Sequence, residues 1–380
     1  MDALILSVGT GGGHNAAGYA IKEELLRRGH HAVMMNPYDL KGKRLSKIVD
    51  NAYVKLVQIA PKIFGAVYYL GNAYRKLPWR SPVYFANIRM SKILYKYLQN
   101  NHYDVVIMPH IFPAEMMTAM KNRGLKIPKT VFVSTDYTCI PFVEESKCDA
   151  YITPSKELDE EYAKRKIPMD KSYPLGIPTA LAFKKIISKE KAAKELGLDP
   201  SKKYILIAGG SMGSGKLLLI VGHILSWCRR HKGYVPIVIC GCNKKLYRNM
   251  KRCFGKKIIA VQFTKKMPQY MKACEVFFTK PGGLSTTEAS NAGIPIVHIT
   301  PIPGCESANM RFFSERGMSV CAKNRKESIH SALDRLTLPE NRANMAFNQR
   351  EHINRYATTE ICNLIEKITA DKQVPVVTVK

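Results

Sequence analysis

Three glycine-rich turns, each set directly behind a short apolar run, constrain this chain more than any other feature. Gly9-Thr10-Gly11-Gly12-Gly13-His14 follows residues 3–8, and Gly209-Gly210-Ser211-Met212-Gly213-Ser214-Gly215 follows residues 204–208. Lys280-Pro281-Gly282-Gly283-Leu284-Ser285 follows residues 276–279. Each reads as strand, glycine turn, helix. Such a unit aims backbone N–H groups and a helix N-terminus at the space above the turn, which favours anions and phosphate esters. Two halves opened by such turns predict an α/β protein with two Rossmann-like domains facing a cleft.

The apolar runs recur with helix-length polar segments between them, as a parallel sheet of linked strand–helix–strand units requires. Strands are expected over 3–8, 30–36, 104–108, 130–134 and 150–153, and again over 204–208, 235–240, 258–261, 275–279, 294–299 and 318–321. A chain of 380 residues is comfortable for two domains. The lysine-rich stretch 179–202, without a strand, is the best linker, so residues 1–180 and 181–356 are expected as the domains. A helix over 357–370 and a polar tail over 371–380 follow.

No run of about 18 apolar residues occurs, which excludes a membrane-spanning helix from the reading. No basic leader with a cleavage site opens the chain, so a cytoplasmic protein is expected. The ten cysteines contain no C-x-x-C pair and no zinc spacing, and read as reduced thiols. The net charge of +29 calls for an anionic partner. Between Lys41 and Lys96, Asp50 is the only acid, and basic residues such as Lys43, Arg44 and Arg80 alternate with Phe64, Tyr68, Tyr69 and Trp79. This mixture suits a surface lying in lipid headgroups. A solvated helical face is the plainer reading, and stacking on RNA a third.

His14 ends the first turn, where an open α/β sheet exposes side chains to its cleft, and its ordinary pKa suits a general base. A helix-start histidine bonding locally is the alternative. Asp136, behind the 130–134 strand, would orient it, bind an acceptor hydroxyl or simply cap the following turn. Ser285-Thr286-Thr287-Glu288 fits a capping box, and Glu288 is equally placed to hold ribose hydroxyls. Lys280 fits a phosphate partner or a solvated strand end. Glu306 and Asn309 lie one helical turn apart, a spacing suited to adjacent sugar hydroxyls. Residues 210–216 match G-x-x-x-x-G-K, yet Leu217 stands where a P-loop needs Ser or Thr. No D-x-D motif occurs, and Gly9-Thr10-Gly11 lacks the third glycine of a dinucleotide fingerprint.

With these residues the chain resembles the monogalactosyldiacylglycerol synthases and processive diacylglycerol glucosyltransferases, and more distantly the lipid-linked N-acetylglucosaminyltransferase of peptidoglycan synthesis. The resemblance rests on Gly11-Gly12-Gly13-His14, Thr135-Asp136, Gly176-Ile177-Pro178 and the 209–215 loop. Its most specific part runs from Lys280-Pro281-Gly282-Gly283 through Thr287-Glu288-Ala289, Gly293-Ile294-Pro295 and Pro303-Gly304 to Glu306 and Asn309. It implies the GT-B fold, with the last helix returning to the first domain, and a UDP-sugar donor. By position, Gly13, Gly210, Ser211, Met212, Gly213, Gly282, Gly283, Leu284 and Ser285 would surround the diphosphate. Glu288 would take the ribose, the backbone around Phe263 the uracil, and Glu306 with Asn309 the sugar.

The implied reaction is inverting hexosyl transfer, of glucose before galactose, to diacylglycerol or a related lipid, with His14 as base. The implied protein sits peripherally on the inner face of the cell membrane, uses no metal or other cofactor, and binds no specific nucleic acid. It departs from the family pattern at Cys305, where glutamine is usual, and at residues 138–142, which lack a His-x-x-Trp stretch.

Overall fold

The computed structural model describes residues 1–9, 12–50, 70–71, 74, 79–209 and 216–370. The first half is a parallel sheet of β1 (Asp2–Leu6), β2 (His31–Met35), β3 (Val105–Met108), β4 (Lys129–Val133), β5 (Ala150–Ile152) and β6 (Ser172–Tyr173), ordered β2-β1-β3-β4-β5-β6. Its helices are α1 (Gly12–Arg27), α2 (Pro82–Asn100), α3 (Ile111–Asn122) and α4 (Asp159–Lys164). The second half begins with α5 (Lys189–Glu195) and builds a second parallel sheet. Its strands are β7 (Lys203–Ala208), β8 (Tyr234–Ile239), β9 (Ile259–Val261), β10 (Val276–Thr279), β11 (Ile296–His298) and β12 (Val320–Cys321), ordered β12-β11-β10-β7-β8-β9. Between and after them run α6 (Leu217–Cys228), α7 (Lys244–Phe254), α8 (Met267–Ala273), α9 (Gly283–Ala292), α10 (Cys305–Glu315), α11 (Lys326–Thr337), α12 (Pro339–His352) and α13 (Ala357–Ala370).

The expected strands form. The two-residue β6 is additional, and its half-buried Ser172 and Tyr173 carry no apolar run that would reveal it. Both sheet faces are covered, which is why the central strands read as continuous apolar runs rather than as alternation. Leu4, Leu6, Val106, Met108 and Phe132 pack with residues of α2 and α3. Ala3, Ile5, Val105, Ile107, Val131 and Val133 pack on the other side with Ile21 and Leu25 of α1 and with Ile361, Cys362 and Ile365 of α13. The final helix therefore completes the first sheet although it follows the second. A further apolar cluster joins Ala17, Tyr137 and Ile177 of the first half to Leu284, Phe312 and Phe313 of the second. Among the described residues, no helix is long and apolar enough to cross a membrane.

Charge holds α13 in place. Buried Glu24 accepts from Arg27 and Arg28, and these bonds, above all that from Arg27, hold its carboxyl down to about 2. Arg28 then reaches α13, donating to Asn363 Oδ1 at 2.8 Å, Glu366 Oε2 at 2.9 Å and the Thr359 carbonyl at 2.9 Å. Replacing Arg28 by alanine leaves Glu24 with one partner and removes three polar contacts to α13, while His30 still reaches Glu366 at 2.8 Å. Arg28→Ala is expected to lower unfolding stability by about 2 kcal/mol in urea titrations; a change within error would mean that the remaining contacts seat α13 without Arg28.

Candidate active site

Parallel strands deliver the chain to one edge of each sheet, and the two edges face each other across a cavity of about 590 Å³. Gly13, His14, Thr135 and Asp136 line it from the first half. Phe263, Lys280, Gly282, Gly283, Leu284, Ser285, Glu288 and Glu306 line it from the second. Helices α1, α9 and α10 all begin at this edge. α9 starts at Gly283 behind Gly282, with no side chain capping it, so its first-turn N–H groups are available to an anion. The capping-box reading of Ser285 and Glu288 therefore fails. The helix begins before Ser285, and Glu288 faces the cavity instead.

His14 occupies the first turn of α1. Its Nδ1 lies 2.7 Å from the Pro109 carbonyl and 3.0 Å from Thr135 Oγ1. A carbonyl can only accept, so Nδ1 carries the proton and Nε2 of the neutral ring keeps its lone pair. Burial lowers the His14 pKa below its usual 6.5, opposed by the Asp136 charge and the Pro109 hydrogen bond. The ring of His110 packs edge-on against His14 at 4.6 Å, and Phe112 packs edge-on against His110, also at 4.6 Å. His110 also caps α3, its Nδ1 accepting from Phe112 N at 3.1 Å. Burial and the neighbouring His14 push the His110 pKa well down, which keeps a second positive charge away from His14.

On the opposite wall, Lys280 and Glu306 pair at 3.2 Å, and Glu306 also accepts from Ile302 N at 2.7 Å. Burial raises the Glu288 carboxyl to about 8, and among the described residues it has no hydrogen-bond partner. Phe263 stands 59 % exposed at the rim. Asn309 differs from its expected place. It is fully buried, and its amide donates to Asp136 Oδ1 at 2.7 Å and to the Pro281 carbonyl at 3.0 Å. Its oxygen accepts from Tyr137 N at 2.6 Å. The side chain binds the two halves together and does not line the cavity.

Residues 14–179 match the family model for monogalactosyldiacylglycerol (MGDG) synthase, and residues 204–360 match the C-terminal domain of glycosyltransferase family 28. The chain is a glycosyltransferase with an MGDG synthase-type first half and a family 28 C-terminal domain. The processive diacylglycerol beta-glucosyltransferase of Bacillus pumilus (strain SAFR-032) is 24 % identical over 375 residues, covering 96 % of this chain and 94 % of that one. Its Staphylococcus saprophyticus counterpart is 27 % identical over 312 residues, covering 77 % and 76 %. Among solved structures, Acinetobacter baumannii MurG shares the fold with a TM-score of 0.61 at 14 % identity, covering 96 % of this chain and 99 % of that one. UDP-GlcNAc 2-epimerase from Neisseria meningitidis does so with a TM-score of 0.62 at 13 % identity, covering 97 % and 100 %. The two Rossmann-like halves expected from the glycine turns are thus present, and the GT-B fold implied by the resemblance is the fold of this glycosyltransferase.

Other expected site residues of the glycosyltransferase divide clearly. Lys43 and Arg44 are exposed, and Trp79 is 68 % exposed. Arg80 is not presented outward. It is half-buried, donates to the Glu145 carbonyl at 2.7 Å and lies over the Tyr84 ring at 4.9 Å. Gly210, Ser211, Met212, Gly213, Phe64, Tyr68 and Tyr69 lie outside the described residues. His110 and Thr135 were missed as partners of His14, because their proximity arises only when β3 and β4 deliver them beside β1.

The two glycines of the third turn serve different ends. A Cβ at Gly283 would stand 2.1 Å from the Thr135 carbonyl oxygen, whereas one at Gly282 would meet nothing within 4 Å. Gly283→Ala is expected to lower the melting temperature by separating the halves. Gly282→Ala should melt like the parent and weaken nucleotide binding, read by calorimetry. Equal melting of both variants would show that the seam yields to a methyl group.

Proposed function

We propose that this glycosyltransferase moves a hexose, glucose before galactose, from a UDP-sugar to diacylglycerol or a related membrane lipid, with inversion at the anomeric carbon. The observation that carries the chemistry is the placement of His14, its Nδ1 2.7 Å from the Pro109 carbonyl, on a cavity whose far wall is an uncapped helix N-terminus. The acceptor hydroxyl attacks the anomeric carbon from the face opposite the diphosphate. The new C–O bond forms as the bond to UDP breaks, and the hydroxyl proton passes to His14 Nε2. Asp136 stabilises the imidazolium that results. The departing diphosphate gains charge beside the N–H groups of α9 and beside Lys280, fixed donors that need no reorganisation. In this reading no metal and no other cofactor takes part.

Gly282, Gly283, Leu284 and Ser285 hold the diphosphate, together with Gly13 and the 210–213 loop. Glu288, protonated near neutrality by its burial, can both donate to and accept from the ribose hydroxyls. The backbone at Phe263 receives the uracil, and Glu306 the sugar. The match of the first half to an MGDG synthase model and the names of the curated relatives support the lipid acceptor. Lys43, Arg44 and Trp79 suit contact with an anionic membrane at the inner face, where the protein is peripheral; a specific nucleic acid partner is not part of this reading. Transfer to a soluble acceptor is the competing reading.

Incubation with anionic vesicles containing diacylglycerol and a panel of UDP-sugars, followed by mass spectrometry, tests the assignment. A glycolipid made from one donor is expected; UDP release without glycolipid would count against the lipid acceptor. His14→Ala should reduce turnover by roughly 10²–10⁴-fold while sparing UDP binding. Because His14 works unprotonated and burial lowers its pKa, kcat/KM should fall with acid only below pH 6.5. Asp136→Asn removes the charge that raises that pKa, so the acid limb should move to still lower pH. A limb that stays put would exclude His14 as the titrating base.

A further inference from the structure

From Pro200 to Cys274 the sequence contains no Asp or Glu. The structure gathers much of the resulting charge on α7, whose Lys244, Lys245, Arg248, Lys251 and Arg252 are all exposed. Leu246 and Met250 turn inward to the second sheet's core, so the helix is held by one face and presents cations on the other. Among the described residues none of these five side chains pairs with a carboxylate; Lys251 instead lies over the Tyr247 ring at 4.8 Å. Lys244 and Arg248, and Arg248 and Arg252, are like charges one turn apart, which weakens a helix rather than supports it. The pattern therefore does nothing for folding, and an external anion is what complements it.

Position selects the anion. β2 and β9 are edge strands of their sheets. Across the seam, Gly283 behind β10 meets Thr135 behind β4, and Arg316 behind α10 pairs with Glu157 behind β5. The two strand series thus run the same way, which leaves β2 and β9 on one flank of the cleft. Lys43 and Arg44 follow β2, and α7 connects β8 to β9. Both basic surfaces border the flank where Phe263 marks the cavity rim. α7 offers a convex face without exposed aromatic rings. That suits a plane of anionic headgroups and not a single nucleic acid strand, which needs stacking platforms.

We propose that α7 is a second membrane-docking surface, binding anionic lipid headgroups beside the Lys43–Arg44 stretch, so that the second half also sits on the bilayer with the cleft open toward it. The choice of partner rests on the lipid acceptor proposed above. The test is sedimentation with vesicles of phosphatidylcholine alone or with phosphatidylglycerol added, comparing the parent with Lys244→Glu/Lys245→Glu/Arg248→Glu/Lys251→Glu and with Lys43→Glu/Arg44→Glu. Each surface cation is worth about fivefold in binding. The α7 variant is expected to lose at least tenfold in affinity for the anionic vesicles, and the loss should shrink in high salt.

Thermal melting checks the fold, and the corresponding glutamine variant replaces the glutamate one if melting collapses. Unchanged affinity of a folded variant, or a loss of single-stranded RNA binding without loss of vesicle binding, overturns the proposal. Glycosyl transfer to diacylglycerol in neutral detergent micelles should be equal in parent and α7 variant. If the parent transfers nothing there, the acceptor reading fails while the vesicle result still decides the α7 surface.

Discussion

The site depends on the approach of the Thr135 carbonyl to Gly283, a spacing that admits no side chain. Thr135 serves both sides of this seam: its backbone touches the first turn of α9, while its hydroxyl lies 3.0 Å from His14 Nδ1. One residue thereby sets the distance between the histidine and the helix N-terminus opposite it. Asn309 fixes the same seam by donating to Asp136 and Pro281 and accepting from Tyr137. Tyr137 adds a hydrogen bond to Thr287 Oγ1 at 2.7 Å and stacks on Phe312 with centroids 4.6 Å apart. Polar groups buried between two bodies must find partners across the boundary, so each such bond also specifies one docking geometry.

Burial then sets the charge inside the cavity. It holds His14 and His110 toward the neutral form and raises Glu288 to about 8. Lys280 is already neutralised by Glu306. A diphosphate entering this space meets backbone dipoles more than bare cations. Dipoles fixed by a helix act most strongly where charge accumulates as a bond breaks, because the low dielectric of a closed cavity screens them little. A tight ground-state clamp of several free lysines would instead hold UDP after transfer and slow its release.

The sequence was most legible where one local rule decides. A glycine turn behind an apolar run announces strand, turn and helix, and the strand expected over 30–36 appears as His31–Met35. It was least legible at the seam. By helical spacing Glu306 and Asn309 belong on one face, yet Asn309 turns inward because Asp136 and Tyr137, more than 170 positions earlier, need its amide. Arg80 looked like part of a basic surface, but Glu145 and Tyr84 consume it. The Ser285–Glu288 capping pattern misled because Gly282 and Gly283 let the helix start earlier, with no hydroxyl needed at its end. In each case a partner distant in sequence overrode a local preference.

The charge distribution follows the same division between inside and outside. Several carboxylates are drawn into structural work: Glu24 with Arg27 and Arg28, Asp149 with Lys121, Glu275 with Lys189 and Arg342, Glu157 with Arg316 and His352, Glu306 with Lys280. Asp50, the lone acid of the 41–96 stretch, accepts from the Gly9 N–H at 2.9 Å and so braces the first glycine turn. On the flank of the cleft, α7 and the Lys43–Arg44 turn carry exposed cations that pair with no carboxylate among the described residues. Within a net charge of +29, these two clusters lie on one flank of the cleft, so an anionic surface drawn to them would meet the site from that side.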